Sequence, residues 1–182
     1  MTDHDVMIAV RDGDTGKLGL LFERHHKHLF NYFLLGTHNR QASEDMVQDV
    51  FYRMLKYRHT YRSRGSFKTW MFTIARNVRA DYFREHGEEL LTPNEQATLF
   101  SSDPNPEALC EHENDIALLR EALARLPEDK REIIIMNRFH NMRCKEIGTV
   151  LGCKNGTVKV RIHRAMKELT DMYFTLTGEN KP

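Results

Sequence analysis

Apolar residues recur at helical spacing along most of the chain. Leu18, Leu21, Phe22, His25, Leu29, Tyr32 and Phe33 keep the three-to-four-residue interval of one helix face. Met46, Val47, Val50, Phe51, Met54 and Leu55 do the same, as do Phe67, Trp70, Met71, Ile74, Val78 and Tyr82. Glu44 and Asp45 are placed in the first turn of the second of these helices, where acids suit the helix dipole. After a gap the pattern resumes with Ile116, Leu119, Leu123 and Leu126. Pro127 then opens another helix at the first-turn position it favours, followed by Glu128 and Asp129 and carried by Ile133, Ile134, Met136 and Phe139. Glu146, Ile147, Val150 and Leu151 make a short helix. Nothing alternates like a strand, so the predicted fold class is all-α.

The last helix has two unlike faces. Gly152 ends the helix before it, and Asn155 is the expected cap. At roughly 100° per residue, Val158, Ile162, Ala165, Met166, Leu169 and Tyr173 fall on one arc. Lys159, His163, Arg164 and Lys167 fall opposite, and no Asp or Glu occurs between Lys154 and Lys167. A merely soluble helix mixes charge signs. Gly148, four residues before Gly152, leaves room for a crossing helix. A turn glycine, a small residue and a purely basic outward face together predict a helix-turn-helix that enters a DNA groove.

The net charge of +1 over 182 residues hides a layout. Residues 1–86 carry +4, residues 87–115 carry −8 and residues 116–182 carry +5. The acidic stretch also holds Pro93, Pro104 and Pro106 and no sustained periodicity. The expected organisation is therefore two small helical domains, 1–86 and 114–182, joined by an acidic flexible linker over 87–113. No apolar run reaches the length of a membrane span, and the acidic N-terminus lacks a leader core, so no membrane insertion and a cytoplasmic location are expected. Cys110, Cys144 and Cys153 are too few and too uneven for a disulfide framework. His140, Cys144, Cys153 and His163 have separations that match no compact zinc pattern, so no metal is predicted. There is no Gly-rich phosphate loop, nucleophile elbow or spaced acid pair. No enzyme, catalytic residue or cofactor is predicted.

A second feature lies between the two central helices of the first block. Tyr61 sits in a loop with Arg58, Arg62 and Arg64, where a core role is hard to arrange, and this mixture suits stacking on unpaired bases beside phosphate contacts. Trp70, in a helical pattern, reads as core.

Two motif sets, in order, resemble the extracytoplasmic-function sigma factors of bacterial RNA polymerase. The first runs through Ala42-Ser-Glu-Asp-Met-Val-Gln48-Asp-Val-Phe51 and Gly65-Ser-Phe-Lys-Thr-Trp70-Met-Phe-Thr-Ile-Ala75-Arg-Asn77. The second runs through Leu126-Pro-Glu-Asp-Lys-Arg-Glu132, Glu146-Ile147 and Gly156-Thr-Val-Lys-Val-Arg-Ile-His-Arg164. The resemblance implies a region-2-like domain, a linker and a region-4-like helix-turn-helix domain. It implies that Asp45, Gln48, Asp49, Phe51 and Arg53 dock on core polymerase. It implies that Tyr61, Arg62, Arg64, Ser66, Arg76, Asn77, Arg79 and Arg84 take the melted −10 strand, with Asn77 in the same base pocket as Tyr61. It implies that Arg138, Lys154, Asn155, Thr157, Lys159, Val160, His163 and Arg164 read the −35 duplex. Core RNA polymerase, promoter DNA and an anti-sigma factor are the implied partners. Gly148 stands where the family usually has alanine, which weakens the helix by about 0.5–1 kcal/mol. Read from the residues alone, a two-domain helix-turn-helix regulator independent of core polymerase also accounts for residues 114–175, and a helical scaffold without DNA contact is the third reading.

Overall fold

Thr2 starts the first helix, α1 (Asp3–Arg11), by accepting a hydrogen bond from the Asp5 amide while the Asp5 carboxylate accepts from the Thr2 amide at 2.8 Å. The computed structural model describes residues 1–62, 66–86 and 109–178, with side chains from 115 in the last span. Arg64 and residues 87–108 of the expected linker lie outside the described residues. The remaining helices of the first domain are α2 (Leu18–Thr37), α3 (Arg40–Lys56) and α4 (Phe67–His86). The second domain holds α5 (Leu109–Arg125), α6 (Glu128–Ile134), α7 (Cys144–Leu151) and α8 (Asn155–Thr177). Among the described residues there is no strand, and the fold is all-α.

In the first domain α3 packs between α2 and α4, and α1 lies against α2 and α4. The core holds Val6, Met7 and Val10 of α1 with Leu21, Leu29, Phe33, Val50, Met54, Met71 and Ala75. α1 is an element that the apolar spacing did not announce. The Thr2–Asp5 pair followed by Val6, Met7 and Val10 was its available signal. α3 begins at Arg40, where the Asn39 side chain accepts from the Ala42 amide at 3.0 Å. Glu44 and Asp45 therefore fall in its second turn and not its first, which holds no acid.

In the second domain α8 packs on α5, α6 and α7. Its inward residues Val158, Ala165 and Leu169 are buried, as the spacing predicted. α5 starts at Leu109, so its first residues fall inside the span expected to be linker. Pro127 stands at the cap of α6, one residue before its first turn, and its carbonyl accepts from the amides of Lys130 and Arg131. α6 widens into a π turn over Ile135–Phe139, closed by the His140 amide on the Ile135 carbonyl at 3.1 Å. Lys154, not Asn155, occupies the cap of α8, and no side chain caps it.

Gly152 ends α7 with φ 65°, a left-handed conformation in which a side chain is strained. The Cys153 amide then returns to the Gly148 carbonyl at 2.9 Å. A Cβ on Gly148 would lie 2.6 Å from the backbone oxygen of Cys153 and 3.6 Å from Val158. The turn thus folds onto this position so closely that only glycine fits without a shift. Alanine's advantage in helix propensity is about 1 kcal/mol, while forcing atoms into a packed site costs about 1–3 kcal/mol. Gly148→Ala is expected to lower, not raise, the urea midpoint of the second domain's unfolding; a raised midpoint would show that the turn can relax.

The two domains touch. α4 packs against α7, and α2 against α5, α6 and the π turn. Phe72 and Tyr32 of the first domain meet His140 of the second, with ring centroids 5.1 and 6.0 Å apart.

Candidate nucleic-acid interfaces

The second domain presents the expected basic face. Lys154, Asn155, Thr157, Lys159, Val160, His163 and Arg164 are all exposed, as is Arg138 at the end of the preceding helix. Arg161 and Lys167 are exposed on the same helix. Inward anchoring by Val158, Ala165 and Leu169 leaves these polar side chains no route to the core. Val160 is half exposed among cations, which gives the face an apolar group suited to a thymine methyl.

The first domain is arranged otherwise. Tyr61 is 2% exposed, its ring edge-on to Trp70 at 5.1 Å and to Phe67 at 6.4 Å. Its hydroxyl lies 2.8 Å from Nδ1 of His4 on α1. The expectation that a core role would be hard to arrange for Tyr61 is overturned. His4 of α1 and Phe67 and Trp70 of α4 close over the ring, neighbours that the cationic sequence around Tyr61 does not reveal. Burial also raises the Tyr61 hydroxyl above its ordinary pKa, aided by the charge on Asp3. Trp70 is half-buried against this cluster.

Arg62 and Ser66 are exposed, and the Ser66 hydroxyl donates to Glu146 of α7 at 3.4 Å. Asn77 is exposed in a shallow groove with Arg53, Tyr57, Asp81 and Arg84. Tyr61 does not line that groove. Arg84 is exposed and bonded to Asp81 at 2.5 Å. Arg76 is half-buried, with Nε 3.4 Å from Glu132. Arg79 is 3% exposed and is held by Glu128 at 2.7 Å and Glu132 at 3.6 Å, both on α6. Burial alone would lower its pKa; Tyr32, Glu132 and Glu128 outweigh that and raise it. The expected phosphate ligand Arg79 is therefore not open to a strand in this conformation.

On α3, Asp45 and Gln48 are exposed, with Asp45 accepting from Gln41 at 3.1 Å. Arg53 spans Asp49 at 2.9 Å and Asp81 at 2.6 Å, tying α3 to α4. Phe51 is buried, 5.0 Å from Phe22, so it supports the surface and does not form it. Sequence spacing missed two apolar grooves. One runs between α2 and α3, lined by Phe22, Phe30, Val47 and Gln48. The other lies between α5 and α8, lined by Ile116, Leu119, Met166, Leu169 and Tyr173. Ile116 and Leu119 keep the helical apolar spacing but are about 40% exposed, because α5 runs past the edge of the core. Periodicity marks a face without telling whether anything covers it. Cys144 and Cys153 are free thiols, half-buried at opposite ends of α7. Among the described residues, no group of three or more His, Cys, Asp or Glu is placed to hold a metal ion.

Known proteins are similar to this chain in sequence and fold. The family described as Sigma-70 region 2 matches residues 21–89, and Sigma-70, region 4 matches residues 116–169. The ECF RNA polymerase sigma factor RpoE of Cereibacter sphaeroides is 31% identical over 169 residues, covering 90% of this chain and 91% of that protein. The chain belongs to the ECF sigma factors of RNA polymerase. The RNA polymerase sigma factor YlaC of Bacillus subtilis is 27% identical over 82% of this chain and 87% of its own length. Among solved structures, CnrH in complex with the cytosolic domain of CnrY has a similar fold, with a TM-score of 0.71 and 22% identity over 93% of this chain and 96% of that one. Sigma factors are transcription-initiation factors. Among the described residues, no helix is long and apolar enough to cross a membrane.

Proposed function

We propose that this sigma factor gives core RNA polymerase two separate grips on a promoter. α8 reads the −35 element as duplex, through Lys154, Asn155, Thr157, Lys159, Val160, His163 and Arg164, with Arg138 on a phosphate. Arg62, Arg64, Ser66, Arg76, Asn77, Arg79 and Arg84 take the parted −10 strand. The exposed acid and amide of α3, Asp45 and Gln48, dock on polymerase, with Asp49 and Arg53 bracing that helix. The observation that carries this reading is the acid-free face of α8, exposed while its opposite face anchors the domain. Two modest binders on one chain act together through effective concentration, so neither needs high affinity alone. Extruding and stacking a base costs a few kcal/mol for unstacking, so the strand contacts favour DNA only where it opens.

An anti-sigma factor is the proposed regulator, acting in the cytoplasm. The solved relative RpoE of Bartonella quintana is a complex with the anti-sigma factor NepR, at TM-score 0.65 and 23% identity over 85% of this chain and 94% of that one. The test is run-off transcription with purified core polymerase on genomic fragments. Discrete start sites that appear only when this chain is added support the proposal. Binding to duplex DNA with no attachment to core polymerase would instead mark a regulator independent of the polymerase.

A further inference from the structure

Arg131 of α6 is a cation that is only 4% exposed, and no carboxylate among the described residues pairs with it. Its two Nη groups donate to carbonyls, of Gly36 on α2 and of Leu126, each at 3.0 Å, and its Nε is buried without a partner. Arg79 converges on the same glycine: a Cβ on Gly36 would lie 3.2 Å from its Nη1. Glu128 is bonded to Arg79, while Glu132 accepts from the Tyr32 hydroxyl and faces Arg76 and Arg79. Two carboxylates of α6 thus answer three guanidinium groups, and the surplus charge rests on Arg131. Burial, then the charge on Arg79, lower its pKa, and Glu128 offsets them only in part. His38, two residues past Gly36, also has a buried Nε2 without a partner. Burial and then the charge on Arg131 lower its pKa, so its ring adds no charge to the cluster.

A buried cation without an anion is costly, and an orphaned polar atom marks a place for a water or an ion. Arg131 lines a groove of about 340 Å³ between the domains, at the lower end of the range for small-molecule sites. Phe83 of the first domain and Leu126 and Pro127 of the second give it apolar walls. Arg125, half exposed and paired with Glu121 on its own helix, lines it as well. Glu128 also lines it, with its carboxylate taken up by Arg79.

We propose that this groove binds a small phosphate-bearing molecule, with the phosphoryl group on Arg131 and Arg125 and the rest of the molecule on Phe83 and Pro127. Guanidinium matches phosphoryl oxygens in charge and geometry, and three oxygens let one group meet two guanidiniums, whereas one bidentate pair uses up a carboxylate. The walls come from both domains, so the ligand favours the arrangement in which they meet. Arg125 and Arg131 are not among the side chains assigned to promoter or polymerase, so the site stands apart from that reading.

The experiment titrates the whole isotope-labelled chain with inorganic phosphate, phenyl phosphate and benzoate at fixed ionic strength, following amide resonances. Saturable shifts with one shared Kd are expected at Gly36, Phe83, Leu126 and Arg131. Phenyl phosphate is expected to bind about fivefold more tightly than phosphate, because its ring leaves water, and benzoate more weakly than either. Arg131→Gln should abolish saturation. Because that variant also disturbs the bonds to two carbonyls, Ala124→Glu is the second: it sets a carboxylate in the same groove and is expected to weaken phenyl phosphate about tenfold. Shifts confined to residues 154–164 would mean an adventitious ion only, held by the basic face of α8, and would overturn the proposal. Absence of saturation would show that water completes Arg131, and unchanged binding in Ala124→Glu would place the ligand elsewhere; either sinks the site. Benzoate as tight as phenyl phosphate would overturn the phosphate class.

Discussion

Tyr61→Ala is expected to destabilise the first domain by about 3–5 kcal/mol, the cost of removing a large aromatic from a packed core. The ring is almost wholly enclosed by Trp70, Phe67 and α1. The substitution also deprives His4 of the hydroxyl 2.8 Å from its Nδ1. For a domain of this size that corresponds to a fall in melting temperature of more than about 10 °C, measured by circular dichroism. Tyr61→Phe keeps the ring and removes only the hydroxyl, for about 1 kcal/mol. The pair separates packing from strand capture. If Tyr61 also stacks on an extruded base, the phenylalanine variant retains open-complex formation in permanganate footprinting, and the alanine variant fails even at temperatures where it is folded. An alanine variant that melts normally would show that the ring is not part of the core.

Removing both Lys159 and Arg164 is expected to abolish −35 recognition while leaving the fold intact. Both side chains point away from the buried Val158–Ala165–Leu169 stripe, so alanine at either position leaves the core untouched. A base-edge hydrogen-bonding pair is worth about 1–3 kcal/mol, and removing a phosphate ligand reduces the salt slope by about one. Holoenzyme carrying the double substitution should bind its promoter duplex at least about thirtyfold more weakly, equivalent to about 2 kcal/mol. The slope of log affinity against log salt should flatten. An unchanged slope with unchanged melting temperature would place the DNA face elsewhere on the domain.

The basic face of α8 was legible because it depends on one helix. Once Val158, Ala165 and Leu169 go inward, 100° per residue sends Lys159, His163 and Arg164 outward whatever the rest of the chain does. The turn was legible for the same local reason, since Gly152 takes a left-handed conformation. Tyr61 was misjudged because its neighbours in sequence are cations while its neighbours in space are Trp70, Phe67 and His4. α1, which supplies His4 and part of that core, is nine residues long with its apolar residues in one run, too short for periodicity to reveal. Phe51 kept a motif position yet lies beneath the surface it supports, against a Phe22 that sequence spacing could not place beside it.

Sequence by itself determined the helices after α1, their order, the split into two basic blocks around an acidic stretch, and the family. These follow from spacing, charge and motifs that neighbouring residues carry. Only the tertiary structure decided that Arg79 is buried on Glu128 and Glu132, and that His140 sits among Tyr32, Phe72 and His28. Those partners stand 49 or more residues apart along the chain. Their pairing depends on how two separately formed helical bodies meet, and no periodicity within either body encodes that meeting.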